Sequence, residues 1–207
     1  MGVVEPTDET QSRPMQQHEQ EMPITAPPAF DDLWTRDRPR QTAAYRAVMA
    51  ETDQPVEWAY VVWDDLVAHL ASPDNHDRSI AAQILANLAK SDPDSRILDD
   101  LDAIVDVTRD ARSVTARHVM QAIWRVGVAG EAQRAALLVA LERRYREAEH
   151  ERHPTLVRFD IVKALRDLYD VVPDDDVRTL ALRLIELEPD PRYRRKAAAV
   201  WRSAAPG

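Results

Sequence analysis

Ser113-Val-Thr-Ala-Arg-His-Val-Met-Gln-Ala-Ile-Trp-Arg-Val-Gly127 is the stretch from which the fold is read. Ala116, Val119, Met120, Ile123 and Gly127 fall at helical spacing on one face, with Arg117, Gln121 and Arg125 elsewhere, so the stretch predicts a core helix. The same apolar triplet stands upstream as Ile84, Leu85, Leu88 and downstream as Ile161, Val162, Leu165. Each triplet is followed by a turn and a second amphipathic segment. The expectation is an all-α solenoid of helix pairs, about nine helices.

Working outward, the pattern is helical from Gln41 onward. Helices are expected at Thr42–Glu51, Val56–Ala71, Asp77–Lys90, Arg112–Val126, Glu131–Ala148, Thr155–Tyr169, Asp176–Leu187 and Arg192–Ala204, with another opened by Asp92 as N-cap and Pro93 at its first position. Asp190-Pro191 repeats that start, and Gly127 and Gly130 punctuate the end of the central helix. No alternating strand or hairpin turn interrupts the series. Residues 1–40 differ: Pro6, Pro14, Pro23, Pro27, Pro28 and Pro39 lie among Gln, Glu and Ser, predicting a disordered acidic tail ahead of a domain over 41–207. Within that tail Phe30, Leu33 and Trp34 can form one apolar helical turn, either docking on the domain or serving as a partner-binding motif.

Composition excludes several functions. With no cysteine, disulfides, thiolate metal sites and cysteine nucleophiles are ruled out, and with four glycines no Gly-rich nucleotide loop can be built. No GxSxG or HExxH motif occurs, and no cofactor is implied. No apolar run approaches the roughly 18 residues of a membrane span. The amino terminus lacks signal-peptide regions, and Pro6 stands where a myristoylation site wants Ser or Thr, so a cytoplasmic protein is expected. Arginine far outnumbers lysine, which hints at a GC-rich bacterial host. A net charge of -9 disfavours a surface that tracks nucleic acid as a whole, although the last helix, with Arg192, Arg194, Arg195, Lys196 and Arg202, is basic. A polar outer cap for the final repeat is the simpler role for it.

The triplets recur after 35 residues (Ile84 to Val119) and then 42 (Val119 to Ile161), the periods of two-helix repeats. Asp94 with Arg96, Glu131 with Arg134, and Asp176 with Arg178 place an acid and an arginine at the start of each second helix. In these features residues 56–203 resemble HEAT-like repeat proteins, in which such residues form a ladder between neighbouring repeats. The resemblance implies a protein-binding scaffold without catalytic activity.

Each first helix opens on a polar cluster: Asn75-His76-Asp77-Arg78, Thr115-Ala-Arg117-His118 and Thr155-Leu-Val-Arg158-Phe-Asp160. Stacking would align the clusters along one edge, where Arg78, Arg117, His118, Arg158 and His76 are candidates either for a polar groove gripping an anion, a peptide acid or a phosphate of a partner, or for an inter-repeat ladder of caps and ion pairs. His76 and His118 are acid–base candidates by residue type alone. His150-Glu-Arg-His153 has half the pattern of a metal site but is read as a solvated loop. Trp63, Trp124 and Trp201 are read as packing residues; Trp124 is also kept as a candidate contact. The alternative is DNA binding or repair of alkylated DNA, because a HEAT-like DNA glycosylase family presents tryptophans, an aspartate and arginines on one face. This chain looks like that family in architecture and residue types only.

Overall fold

A computed structural model of the chain describes Gly2 and residues 23–202. Among these residues all regular structure is helical: α1 Arg38–Glu51, α2 Ala59–His69, α3 Asn75–Leu88, α4 Ile97–Val107, α5 Ser113–Ala122, α6 Trp124–Val128, α7 Glu131–Glu147, α8 Pro154–Val171, α9 Asp175–Leu187 and α10 Pro191–Trp201, with short 3-10 turns between some of them. Since α5 and α6 abut at Ile123, the segments make nine helices in effect.

Local chemistry explains most of the starts. Asp37, Asp74, Asp174 and Asp190 each cap a helix by accepting a backbone N–H of its first turn, and Pro39, Pro154 and Pro191 sit where a proline costs no hydrogen bond. The helices then pack in two layers. In one, α3, α5 with α6, α8 and α10 follow one another; in the other, α4, α7 and α9 do. The second helix of each pair leans on its own first helix, α4 on α3, α7 on α6 and α9 on α8. The triplets lie where the pattern puts them: Ile84, Leu85, Leu88, Val119, Met120, Ile161, Val162 and Leu165 are all buried.

Four expectations are corrected. The ordered domain begins upstream of residue 41, because Asp31–Trp34 forms a 3-10 turn with Leu33 fully buried and α1 starts at Arg38. Residues 1 and 3–22 of the expected tail, and the expected end of the last helix at Ala204, lie outside the described residues. Asp92 does not cap a helix that begins with Pro93. Residues 92–95 form a turn closed by Ser95 at φ 58°, and the Asp92 carboxylate caps α4 from beyond it, accepting from Arg96 N at 3.0 Å and Ile97 N at 2.8 Å. The central helix is not continuous, since at Ile123 its ladder tightens to a bond from Val126 N to the Ile123 carbonyl, 3.1 Å. Gly127, finally, lies inside α6 rather than past its end. A Cβ there would stand 2.8 Å from Leu168 Cδ2 and 3.2 Å from Leu137 Cδ2, so the missing side chain lets α6 approach α8 and α7.

Candidate functional site

The three polar clusters do come together. α5 lies between α3 and α8, and their N-terminal ends share one edge. Asn75 Nδ2 donates to Thr115 Oγ1 at 3.0 Å, joining α3 to α5. Arg78 donates to Asp110 (Nε to Oδ2, 2.7 Å) in the turn before α5, and to the Ser72 carbonyl at 2.6 Å. Arg117 reaches across to α8, donating from Nε to Asp160 Oδ2 at 2.9 Å. The Asp160 side chain is only 4% exposed, whereas that of Arg117 is 47% exposed. Burial pushes the Asp160 carboxyl above its ordinary range, against the pull of the Arg117 guanidinium and the more distant Lys196 and Lys163. Both arginines therefore tie neighbouring helices together, Arg78 from α3 to the turn before α5 and Arg117 from α5 to α8.

The remaining candidates are placed differently. Arg158 is withdrawn from the edge: it is buried, its Nε donates to the Tyr145 carbonyl at 3.4 Å, and its guanidinium lies over the Tyr145 ring at 5.2 Å. With Glu188 and Tyr193 it lines a void of about 10 Å³, room for roughly one water molecule. Burial, with the nearby Glu188 carboxylate, pushes the Tyr145 hydroxyl up to about 12. His118 is exposed on α5. His76 is exposed too, with its backbone N–H given to Asp74 Oδ1 at 2.8 Å. Trp124 sits on α6, half-buried beneath the guanidinium of Arg125 at 4.7 Å, away from the edge. Trp63 is 0% exposed with its indole N–H given to Asp100 at 2.8 Å, so it presents no ring to a ligand.

What the edge offers instead is a cleft of about 430 Å³ between the turn before α5 and the loop before α8. Ala116, Leu156 and Val157 supply apolar wall, Arg117 and Asp160 the floor pair, and Arg152 and His153 the exposed rim. The loop that makes this rim is fixed from below by Arg144. That residue is 0% exposed, donates from Nε to Thr108 Oγ1 at 2.9 Å and from Nη2 to the Thr108 carbonyl at 3.0 Å, and places Nη1 2.6 Å from Glu151 Oε1. The angle at Nη1 is outside hydrogen-bonding range, so charge attraction alone answers that otherwise unpartnered buried nitrogen.

Arg144, Glu151, Arg152 and Leu156 were not among the candidates. Arg144 was legible, because it lies seven residues after Leu137 and three after Leu141, on the apolar face of α7. Arg158 was legible likewise, three residues before Ile161 and seven before Leu165. Among the described residues no group of three or more His, Asp or Glu side chains is placed to hold a metal ion, and no helix is long and apolar enough to cross a membrane.

Fold and site together define an all-α protein of stacked helix pairs with a cleft on the edge where the first helices begin. Set against known protein families, curated proteins and solved structures, the chain matches none.

Proposed function

We propose that the chain is a HEAT-like helical-repeat scaffold, cytoplasmic and bacterial, that binds a protein partner and performs no catalysis. The support for repeat architecture is the spacing of its cross-links. Bonds between successive first helices span 40 residues (Asn75 to Thr115) and 43 (Arg117 to Asp160), and those between successive second helices 41 (Asp102 on α4 to Arg143 on α7) and 41 (Glu142 on α7 to Arg183 on α9). The rung from Arg134 Nε to Asp174 Oδ2, 2.7 Å, has the form a HEAT-like ladder takes, an arginine early in one second helix meeting an acid in the next turn.

The observation that carries a binding role is the cleft between α5 and α8. Its apolar walls are large enough to take a side chain or a short peptide segment, and its rim residue Arg152 makes no ion pair among the described residues. The cations beneath are matched: Arg78 by Asp110, Arg117 by Asp160, Arg144 by Glu151 and Arg109 by Asp106 and Glu147. Such a site suits an apolar peptide segment with one acidic group better than a polyanion.

The test is comparative capture from bacterial lysate, with and without nuclease, using the wild-type chain and the Leu156→Asp and Arg152→Glu variants. A stoichiometric partner retained by the wild type and lost by both variants, whose melting is unchanged, supports the cleft. Equal retention by all three chains sinks it. Nucleic acid that leaves on digestion and takes every bound protein with it would favour the DNA reading, which now rests on exposed Arg192, Arg195 and Arg202 at the basic end of the stack.

A further inference from the structure

The other end of the stack carries an occupied groove. Phe30 and Leu33 are buried against α1 and α3, and Trp34 turns toward α2, where its ring stacks on His69 (centroids 3.6 Å apart, planes within 7°) and its Nε1 donates to Asp65 Oδ2 at 3.0 Å. Phe30 meets Trp34 edge-on at 5.8 Å. Gln41, itself buried on α1, donates from Nε2 to the Leu33 carbonyl at 2.7 Å. Asp32 is held by Arg40, whose Nε lies 2.8 Å from its carboxylate.

This is how a short recognition motif seats in a helical groove: apolar anchors on one face of a single turn, acids on the other, one main-chain bond and one indole bond fixing the register. The turn is four residues long, only Thr35, Arg36 and Asp37 join it to α1, and residues 23–26 before it have no regular structure. Pro27 is buried with the turn, but every one of these contacts is made by a segment of one short turn with no α-helix of its own, so it can open as a unit without the rest of the chain unfolding. We propose that the groove formed by α1, α2 and α3 is a second protein-binding site, specific for an acidic turn of the pattern Phe-Asp-Asp-Leu-Trp, and that residues 30–34 occupy it in cis as a competitor. Tethering gives the resident segment an effective concentration on the order of millimolar, so an incoming segment gains access only where it binds more tightly or is itself anchored elsewhere. The site stands independently of the cleft between α5 and α8.

The test uses the full chain carrying Leu33→Asp and a fluorescein-labelled peptide of residues 27–36, read by fluorescence anisotropy. The variant binds the peptide saturably, a peptide with the same substitution does not bind, and the wild-type chain binds roughly tenfold or more weakly because its own segment competes. Phe30→Ala, a milder change, gives intermediate affinity. A Leu33→Asp chain that unfolds cooperatively but takes no peptide overturns the proposal. So does loss of cooperative unfolding in both variants, since the segment would then be a fixed part of the core. Leu156→Asp, which tests the cleft, leaves peptide binding unchanged.

Discussion

Two arginines with similar sequence surroundings end up in opposite situations, and the difference predicts opposite costs. Arg144 gives three nitrogens to Thr108 and Glu151 with no access to water, so Arg144→Ala leaves buried acceptors unpaired and the loop before α8 unanchored. It is expected to lower stability by about 2–4 kcal/mol, which for a chain of this size is roughly 5–12 °C in the thermal midpoint followed by circular dichroism. Arg143, one residue earlier, meets Asp102 and Glu147 in the open. A double-mutant cycle on Arg143 and Asp102 is expected to give about 0.5 kcal/mol or less. The edge pair lies between these cases. Arg117→Glu sets a second carboxylate against buried Asp160 and is expected to cost about 2–3 kcal/mol, measured by urea denaturation, because the charge it reverses is the one that offsets burial. A partner-binding defect in that variant is therefore uninterpretable without its melting curve.

At the level of elements, α3 depends on its cap. Asp74 accepts from His76 N and is flanked by Arg36 and Arg38, 2.9 and 2.7 Å from its carboxylate. Burial alone would raise its pKa, but the Arg38 guanidinium and the His76 N–H outweigh it and bring the carboxyl from 3.8 down to about 2. A carboxyl depressed in the fold stabilises above its unfolded value and loses that contribution as pH falls toward its folded value. Asp74 thus contributes about 1–2 kcal/mol at neutral pH, lost between roughly pH 4 and pH 2, with Asp174 acting in the same direction at α9. Asp160 has the opposite sign, because its raised pKa makes it a stabilising proton acceptor on acidification. In Asp74→Asn the fall in urea stability from pH 5 to pH 2.5 should shrink by about that amount; an unchanged acid limb would place the linkage elsewhere.

The same elements show what sequence could reveal. Helix pairs were readable because a period of 3.6 within helices and near 40 between them leaves buried apolar triplets at regular intervals along the chain. The turn at Ser95 was not readable, since Asp92-Pro93 satisfies the rule for a helix start, and only the Asp92 bond from Tyr60 on α2 shows that the carboxylate is shared with another repeat. The break at Ile123 depends on how closely α6 must approach α8, which is a tertiary distance. The docking of Leu33 was open for the same reason: a four-residue turn has too little periodicity to reveal whether its own domain receives it.

For the molecule as a whole, stacking implies that cohesion passes from neighbour to neighbour, so the consequence of a lesion depends on where in the stack it falls. Gly127 is the informative position because α6, α7 and α8 meet there, with Leu168 and Leu137 within 3.2 Å of where a Cβ would stand. Alanine meets only the flexible ends of two leucines and is accommodated at a cost of about 1 kcal/mol, partly offset by its better helix propensity. Valine forces further carbons into the same contact and is expected to cost about 2–3 kcal/mol at the interface between the α5–α6 repeat and the α8 repeat. Weakening a central interface in a one-dimensional stack uncouples its halves, whereas weakening a terminal one only frays an end. Hydrogen exchange by mass spectrometry under native conditions reads this directly. In the wild type, α3, α5 and α8 should exchange only by the slowest opening, with α10 opening earlier because it packs chiefly on α8 and α9 at one end of the stack. In Gly127→Val, α8 to α10 should open together at a free energy below that of α2 to α4. A uniform drop in protection across all helices would instead mean that the chain unfolds as one cooperative unit, with its repeats too tightly coupled to behave as a stack.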